Sequence, residues 1–285
     1  KICIMGLIQI DWIIIIVFLI VLSAIGLISS KRGAKDSTSF FLSDRNMPWW
    51  ILGISMVATT FSIATPNLIT DMVRAGGVAR NWLWWAFLLS GMLTVFIYAK
   101  LWSRSKVLTD LEFYEIRYSG KIAAWLRGFR AVYLGFFINI LILAGASLAF
   151  IKVTAIMTDI NPVIALIVVS VIVLVYSTIG GLKSILWTDF FLFIFAMFGA
   201  FLPAVRVVNS TEIGGLSNFL NHGALQGKLG LLPDFSDPIM TITVFIIPLT
   251  IQWWASWYPG SEPGGGSFIA QRMLAAKSEK HSVGA

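Results

Sequence analysis

Five hydroxyl side chains, Ser55, Thr59, Thr60, Ser62 and Thr65, fall within eleven residues and run directly into Pro66. Hydroxyl and backbone carbonyl oxygens are hard, neutral donors, the kind that suit a sodium ion. A proline inside a helix removes one donor and frees the carbonyl a turn earlier, here near Ser62. Small hydroxylated residues also let helices approach closely, so helix packing is the competing reading of this stretch. A second interruption follows Gln252-Trp253-Trp254-Ala255-Ser256-Trp257-Tyr258, where Pro259-Gly260-Ser261-Glu262-Pro263-Gly264-Gly265-Gly266 precedes renewed helical spacing through Phe268, Ile269 and Met273. Paired, interrupted helices at corresponding places in two halves of a chain point to a binding site at the bilayer midplane. The third feature is Gly180-Gly181, a tight turn with Asp189 just inside the next helix. A carboxylate there is costly in lipid unless it faces water, Lys183 or a cation, or serves as a charge near a helix start.

Other chemistries lack their residues. His222 and His281 have no acidic or cysteine partner at ligand spacing, and Cys3 is the single cysteine. No Gly-x-Ser-x-Gly elbow and no phosphate-cradling glycine loop ending in Lys-Ser/Thr occurs. The residues therefore argue against an enzyme and against a resident cofactor.

The elements that must position these groups are apolar helices. Only 12% of residues are charged, 58% are hydrophobic, and the mean hydropathy is +0.85, against about a quarter charged in a soluble domain. A bilayer core needs about 20 apolar residues per helix. Runs of that length lie near 7–29, 48–70, 81–101, 124–151, 162–180, 185–206 and 239–258, which predicts an all-α, polytopic membrane protein of about seven spans. A turn-rich loop is expected near 207–238. The alternating charges of residues 109–118 predict a solvated surface helix. Asn209-Ser210-Thr211 matches a glycosylation pattern but reads better as a helix-flanking turn.

The net charge of +7 is spread singly between apolar runs and does not point to nucleic acid. Fifteen of the 21 Lys and Arg fall in loops on one side, Arg45 and Arg272 among them. The positive-inside rule then places the N-terminus outside and the C-terminus in the cytoplasm. The pairs Trp49-Trp50 and Trp253-Trp254 and the cluster Trp82-Trp84-Trp85 suit either an interfacial belt or packing.

Three motifs carry a family resemblance. The stretch Gly180-Gly181-Leu182-Lys183-Ser184-Ile185-Leu186-Trp187-Thr188-Asp189 resembles a signature of the sodium:solute symporter family. Leu111-Glu112-Phe113-Tyr114-Glu115-Ile116-Arg117-Tyr118 is similar to that family's cytoplasmic PEF-x-E-x-RF stretch, with Leu111 where proline is usual. Ile269-Ala270-Gln271-Arg272-Met273-Leu274-Ala275-Ala276-Lys277 resembles its QR-x-LAAK segment. The resemblance covers essentially the whole chain, in order.

It implies a LeuT-type inverted-repeat fold. Residues 1–285 would be one transmembrane unit, with a leading helix at about 7–29, a first repeat at about 48–206 and the broken first helix of a second repeat at about 239–275. It also implies a sodium-coupled symporter that imports a small polar solute by alternating access, in a bacterial inner membrane. The backbone carbonyls of Ala58 and Phe61 would bind sodium. Thr60, Thr65, Ser256 and Tyr258 would face solute or ion, and Asp189 would serve sodium release to the cytoplasm. Family members run well beyond 285 residues, so the chain is expected to be the N-terminal half and not to transport alone. The rival expectations are a transport-inactive sodium or solute sensor on the same fold, and a truncated product without function.

Overall fold

A computed structural model describes residues 7–30, 36–62, 64–255 and 264–285. The described residues are helical, and the one extended pairing is an isolated bridge between Met47 and Ala276. Lipid offers no hydrogen bonds, so a spanning backbone must satisfy itself, and the helix does this within one segment. The order is α1 (Gln9–Ser30), α2 (Ser37–Leu42), α3 (Trp49–Thr60), α4 (Ala64–Gly76) and α5 (Val78–Ser105). There follow α6 (Phe113–Arg117), α7 (Lys121–Met157), α8 (Pro162–Val208), α9 (Leu216–Leu220), α10 (Pro238–Thr250), α11 (Ser267–Leu274) and α12 (Glu279–Gly284). Of these, α1, α5, α7 and α8 are each long and apolar enough to cross a membrane, and α3 with α4 passes the same test only when the bent pair is taken together.

Helix α8 has 47 residues, about 70 Å at 1.5 Å per residue, too long for one passage through a bilayer of about 40–45 Å. It is broken at Gly181, whose φ of 56° and ψ of −157° are not helical. Tyr176 lies against Gly26 of α1, and Ser184 Oγ donates to the Gly26 carbonyl. Tyr176 also reaches Thr188, which an unbroken helix would place about 18 Å farther along. The chain therefore reverses at Gly181 into arms 162–180 and 182–208. This is the Gly-Gly turn expected from sequence, made with a single non-helical residue. A Cβ on Gly181 would sit 2.6 Å from the Phe40 carbonyl oxygen, so both its φ and its surroundings require glycine. The second arm runs antiparallel to α1: Phe18 meets Phe191 and Phe195, while Gly26 meets Ser184.

The pair α3 and α4 bends by 67°. Helix α3 ends at Thr60, Phe61 is extended with φ −68° and ψ 127°, and α4 begins at Ala64. Pro66 thus occupies the first turn of a new helix, where a missing N–H leaves no bond unmade. The sequence places the break within a helix at this proline. The structure places it earlier, and Ser62 O accepts the Thr65 N–H at 3.1 Å.

At one end of the bundle Leu42, Ile51, Leu52, Leu182, Leu186 and Leu274 form a closed apolar core. Elsewhere large apolar side chains face outward, Ile122 at 82% and Trp125 at 67% exposure being examples, as a lipid solvent permits. The tryptophan clusters also pack: Trp50 stands edge-on to Trp187 and Phe190, and Trp82 to Trp85 and Phe245. The expected loop at 207–238 carries α9 and docks back on α4 and α5. There Lys228 O accepts the Val78 N–H at 2.8 Å and Lys228 Nζ donates to Arg74 O at 3.1 Å. Asn209 Nδ2 donates to Val205 O at 2.9 Å, closing the end of α8 as a helix-flanking turn.

Candidate functional site

Ser55 and Thr59 stand four residues apart on α3 and therefore on one face. That face meets Asp189 on the second arm of α8 and Arg272 on α11. Ser55 Oγ donates to Asp189 Oδ2 and accepts from Arg272 Nε at 3.2 Å. Thr59 Oγ1 donates to the Ser55 carbonyl at 2.7 Å and accepts from Arg272 Nη2 at 3.3 Å. Arg272 Nη2 lies 3.5 Å from Asp189 Oδ2. The remaining guanidinium face is used by Nη1, which donates to Phe268 O and Gln271 Oε1 at 3.3 and 3.1 Å.

Ser55 is fully buried and Arg272 is 4% exposed. A buried charge is tolerated when it is paired and its donors are satisfied, and this arrangement meets both conditions. Two hydroxyls, one carboxylate and one guanidinium tie together α3, α8 and α11, elements distant in sequence.

From Ser55 to Phe61 is six residues, about 9 Å along a helix, so the ion pair lies roughly two turns from the break in α3–α4. At the break, Ala58 O accepts the Phe61 N–H at 3.1 Å; a carbonyl oxygen has a second lone pair. The Phe61 ring stacks on Phe193 at 5.7 Å. Thr60 Oγ1 turns back to Val57 O at 2.7 Å, and Thr65 lies half-buried in the first turn of α4. Ser256 and Tyr258 lie outside the described residues. The structure thus brings Asp189 to Ser55 and Thr59, and leaves Ala58 and Phe61 at the neighbouring helix end.

The second interruption also has described flanks. Before it, Ile251 departs from helical geometry at φ −123°, and Gln252 Nε2 donates to Leu83 O at 3.1 Å. After it, the Gly264 N–H donates to Thr94 Oγ1 at 3.1 Å and Gly264 O accepts from Trp102 Nε1 at 2.8 Å. Both flanks are therefore fastened to α5. Among the described residues, no three His, Cys, Asp or Glu side chains are grouped to hold a metal ion.

Sequence reasoning singled out Asp189 but not its partners. From sequence, that carboxylate is expected to face water, Lys183 or a cation; the described contacts are to the Ser55 hydroxyl and the Arg272 guanidinium. Arg272 reads in sequence as a loop charge within the QR-x-LAAK stretch, with no partner assigned; its further signal is its place between apolar Ile269, Met273 and Leu274. Ser55 and Thr59 are visible as hydroxyls, and their four-residue spacing is the sign that they act on one face.

On comparison with known proteins, the sequence pattern of the sodium:solute symporter family matches residues 40–285. The sodium/glucose cotransporter of Vibrio parahaemolyticus is 27% identical over 96% of this chain and 50% of its own length. Human sodium-coupled monocarboxylate transporter 2 is 24% identical over 95% of this chain and 43% of its own. A Na+-coupled sialic acid symporter, solved in a substrate-bound outward-open state, superposes with a TM-score of 0.73 at 20% identity. It covers 96% of this chain and 55% of that one, and gives the fold, which is LeuT-like. The chain spans about half the length of these relatives. It is an integral membrane protein of α-helices, and it belongs to the sodium:solute symporter family.

Proposed function

We propose that this chain supplies the first repeat and the opening broken helix of a sodium-coupled symporter for a small polar solute. The observation that carries the reading is the break between α3 and α4, where a helix end rich in oxygen donors stands about two turns from a buried ion pair. In this reading the carbonyls of Ala58 and Phe61 bind sodium, and Thr60, Thr65, Ser256 and Tyr258 face solute or ion. The leading helix is 7–29, the first repeat 48–206, and the second repeat opens with 239–275. The N-terminus is outside and the bundle end that holds Asp189 and Arg272 faces the cytoplasm of a bacterial cell.

The Asp189–Arg272 pair is then the cytoplasmic closure. Sodium leaving the site meets Asp189, whose carboxylate trades Arg272 for the ion as α11 moves away. Alternating access rocks one repeat against the other around the site. Sodium drives the cycle only by binding the outward, solute-ready state more tightly than the inward one; equal affinity would shift nothing.

The test is sodium-gradient-driven solute uptake by the full-length protein in proteoliposomes. Asp189→Asn should slow uptake while membrane insertion stays normal. Uptake at the wild-type rate in that variant would remove the role given to Asp189.

A further inference from the structure

Ser43, Asp44 and Arg45 stand in the left-handed region in succession, with φ of 49°, 58° and 51°. Non-glycine backbone of this kind persists only where its surroundings over-determine it. Here the side chain of the last residue supplies that constraint. Arg45 Nη1 donates to Leu274 O at 3.2 Å, and Nη2 donates to Lys106 O and Val107 O at 2.8 Å each. The three carbonyls come from two places, the end of α11 and the turn that follows α5. Carbonyls at helix ends lack intrahelical partners and carry partial negative charge, so a guanidinium fork suits them. Beside it, the Met47 N–H donates to Ala275 O and Met47 O accepts the Lys277 N–H, each at 3.1 Å. Leu274 is two residues past Arg272, on the same short helix.

We propose that Arg45 is a positioning residue of the closure: it fastens the end of α11 to α5, keeps Arg272 on Asp189, and lets go when that end of the bundle opens. This rests on reading the Asp189–Arg272 pair as the closure of a transport cycle. Lysine carries a single ammonium in place of the fork and cannot span both segments with the same reach.

The experiment uses the full-length protein, otherwise free of cysteine, with Ala275→Cys as a reporter in permeabilised membranes. Ala275 is fully buried, so a membrane-impermeant thiol reagent reaches it only when α11 lifts. Arg45→Gln should raise the labelling rate by at least about tenfold, since one charge-assisted hydrogen bond is worth about that factor and the fork makes three, and Arg45→Lys should fall between. A control reporter, Ala86→Cys, also fully buried and far along α5, should stay unlabelled in every variant. An unchanged rate in correctly inserted Arg45→Gln protein overturns the proposal, as does an equal rise at Ala86→Cys. If Arg45→Gln does not insert, Arg45→Lys decides, and a wild-type rate there overturns it. The transport reading is scored separately: labelling of the Arg45 wild-type reporter that ignores sodium counts against that reading and leaves the clamp standing.

Discussion

Removing Arg272 while keeping Asp189 should cost more than removing both charges. The two are 3.5 Å apart, with side chains 5% and 14% exposed. At an effective dielectric of about 20 their attraction is on the order of 5 kcal/mol, from which the cost of burying both ions must be subtracted. Breaking a buried pair from one side typically costs about 3–5 kcal/mol, because it strands the other charge. Arg272→Met leaves Asp189 with the hydroxyl of Ser55, so about 3 kcal/mol is expected. That is roughly a hundredfold in any equilibrium that depends on the closed arrangement. Asp189→Asn with Arg272→Met leaves no stranded charge and should recover more than half of that loss. Thermal unfolding of the purified full-length protein, followed by tryptophan fluorescence, measures the cycle. A loss of about 3 kcal/mol corresponds to a midpoint lower by about 5–10 °C, using the scaling of larger domains. If the double variant falls by the sum of the two single falls, the residues are uncoupled and the closure reasoning fails.

Gly181→Ala should lower the folded yield sharply, because a Cβ there meets the Phe40 carbonyl at 2.6 Å and φ is 56°. Gly199→Ala on the same helix, with nothing within 4 Å, should be neutral or stabilise by up to about 1 kcal/mol; equal behaviour of the two in a thermal melt would contradict the turn at Gly181. The Arg104 guanidinium donates to both carboxylate oxygens of Glu279 at 2.8 and 2.9 Å, and this hydrogen bonding holds the Glu279 carboxyl below its ordinary value of 4.5. A depressed carboxylate stabilises the fold above its unfolded value and loses that contribution as pH falls through the folded one. The acid-side loss should therefore be small, since the pair is exposed and screened by salt, and Glu279→Gln should abolish it in melts run below pH 4.5. A larger acid step in Glu279→Gln than in the wild type would reverse the assignment.

Most of the long apolar segments were legible because lipid favours such runs. The run expected at 239–258, however, holds only the short helix Pro238–Thr250 among the described residues, and the one at 48–70 is a bent pair. The turn at Gly180-Gly181 was legible because two glycines interrupt a long apolar run. The interruption near Phe61 was legible too, though its place was not. A proline marks a helix boundary without saying on which side the helix lies, and Pro66 opens α4 instead of bending a continuous helix. The closure was largely hidden. Asp189 stood out as a carboxylate inside an apolar run, whereas Arg45 counts in sequence only toward loop charge and Arg272 only as a loop charge within the QR-x-LAAK stretch. Their roles depend on burial and on carbonyls far away in the chain, neither of which sequence spacing carries. Left-handed geometry at Ser43, Asp44 and Arg45 leaves no sequence trace either, because none of the three is glycine.

Sodium binding to the purified full-length protein tests the central claim without knowledge of the solute. Radioactive sodium should bind saturably, be displaced by unlabelled sodium, and resist an equal concentration of potassium. Correctly folded protein that shows no saturable sodium binding would contradict the account.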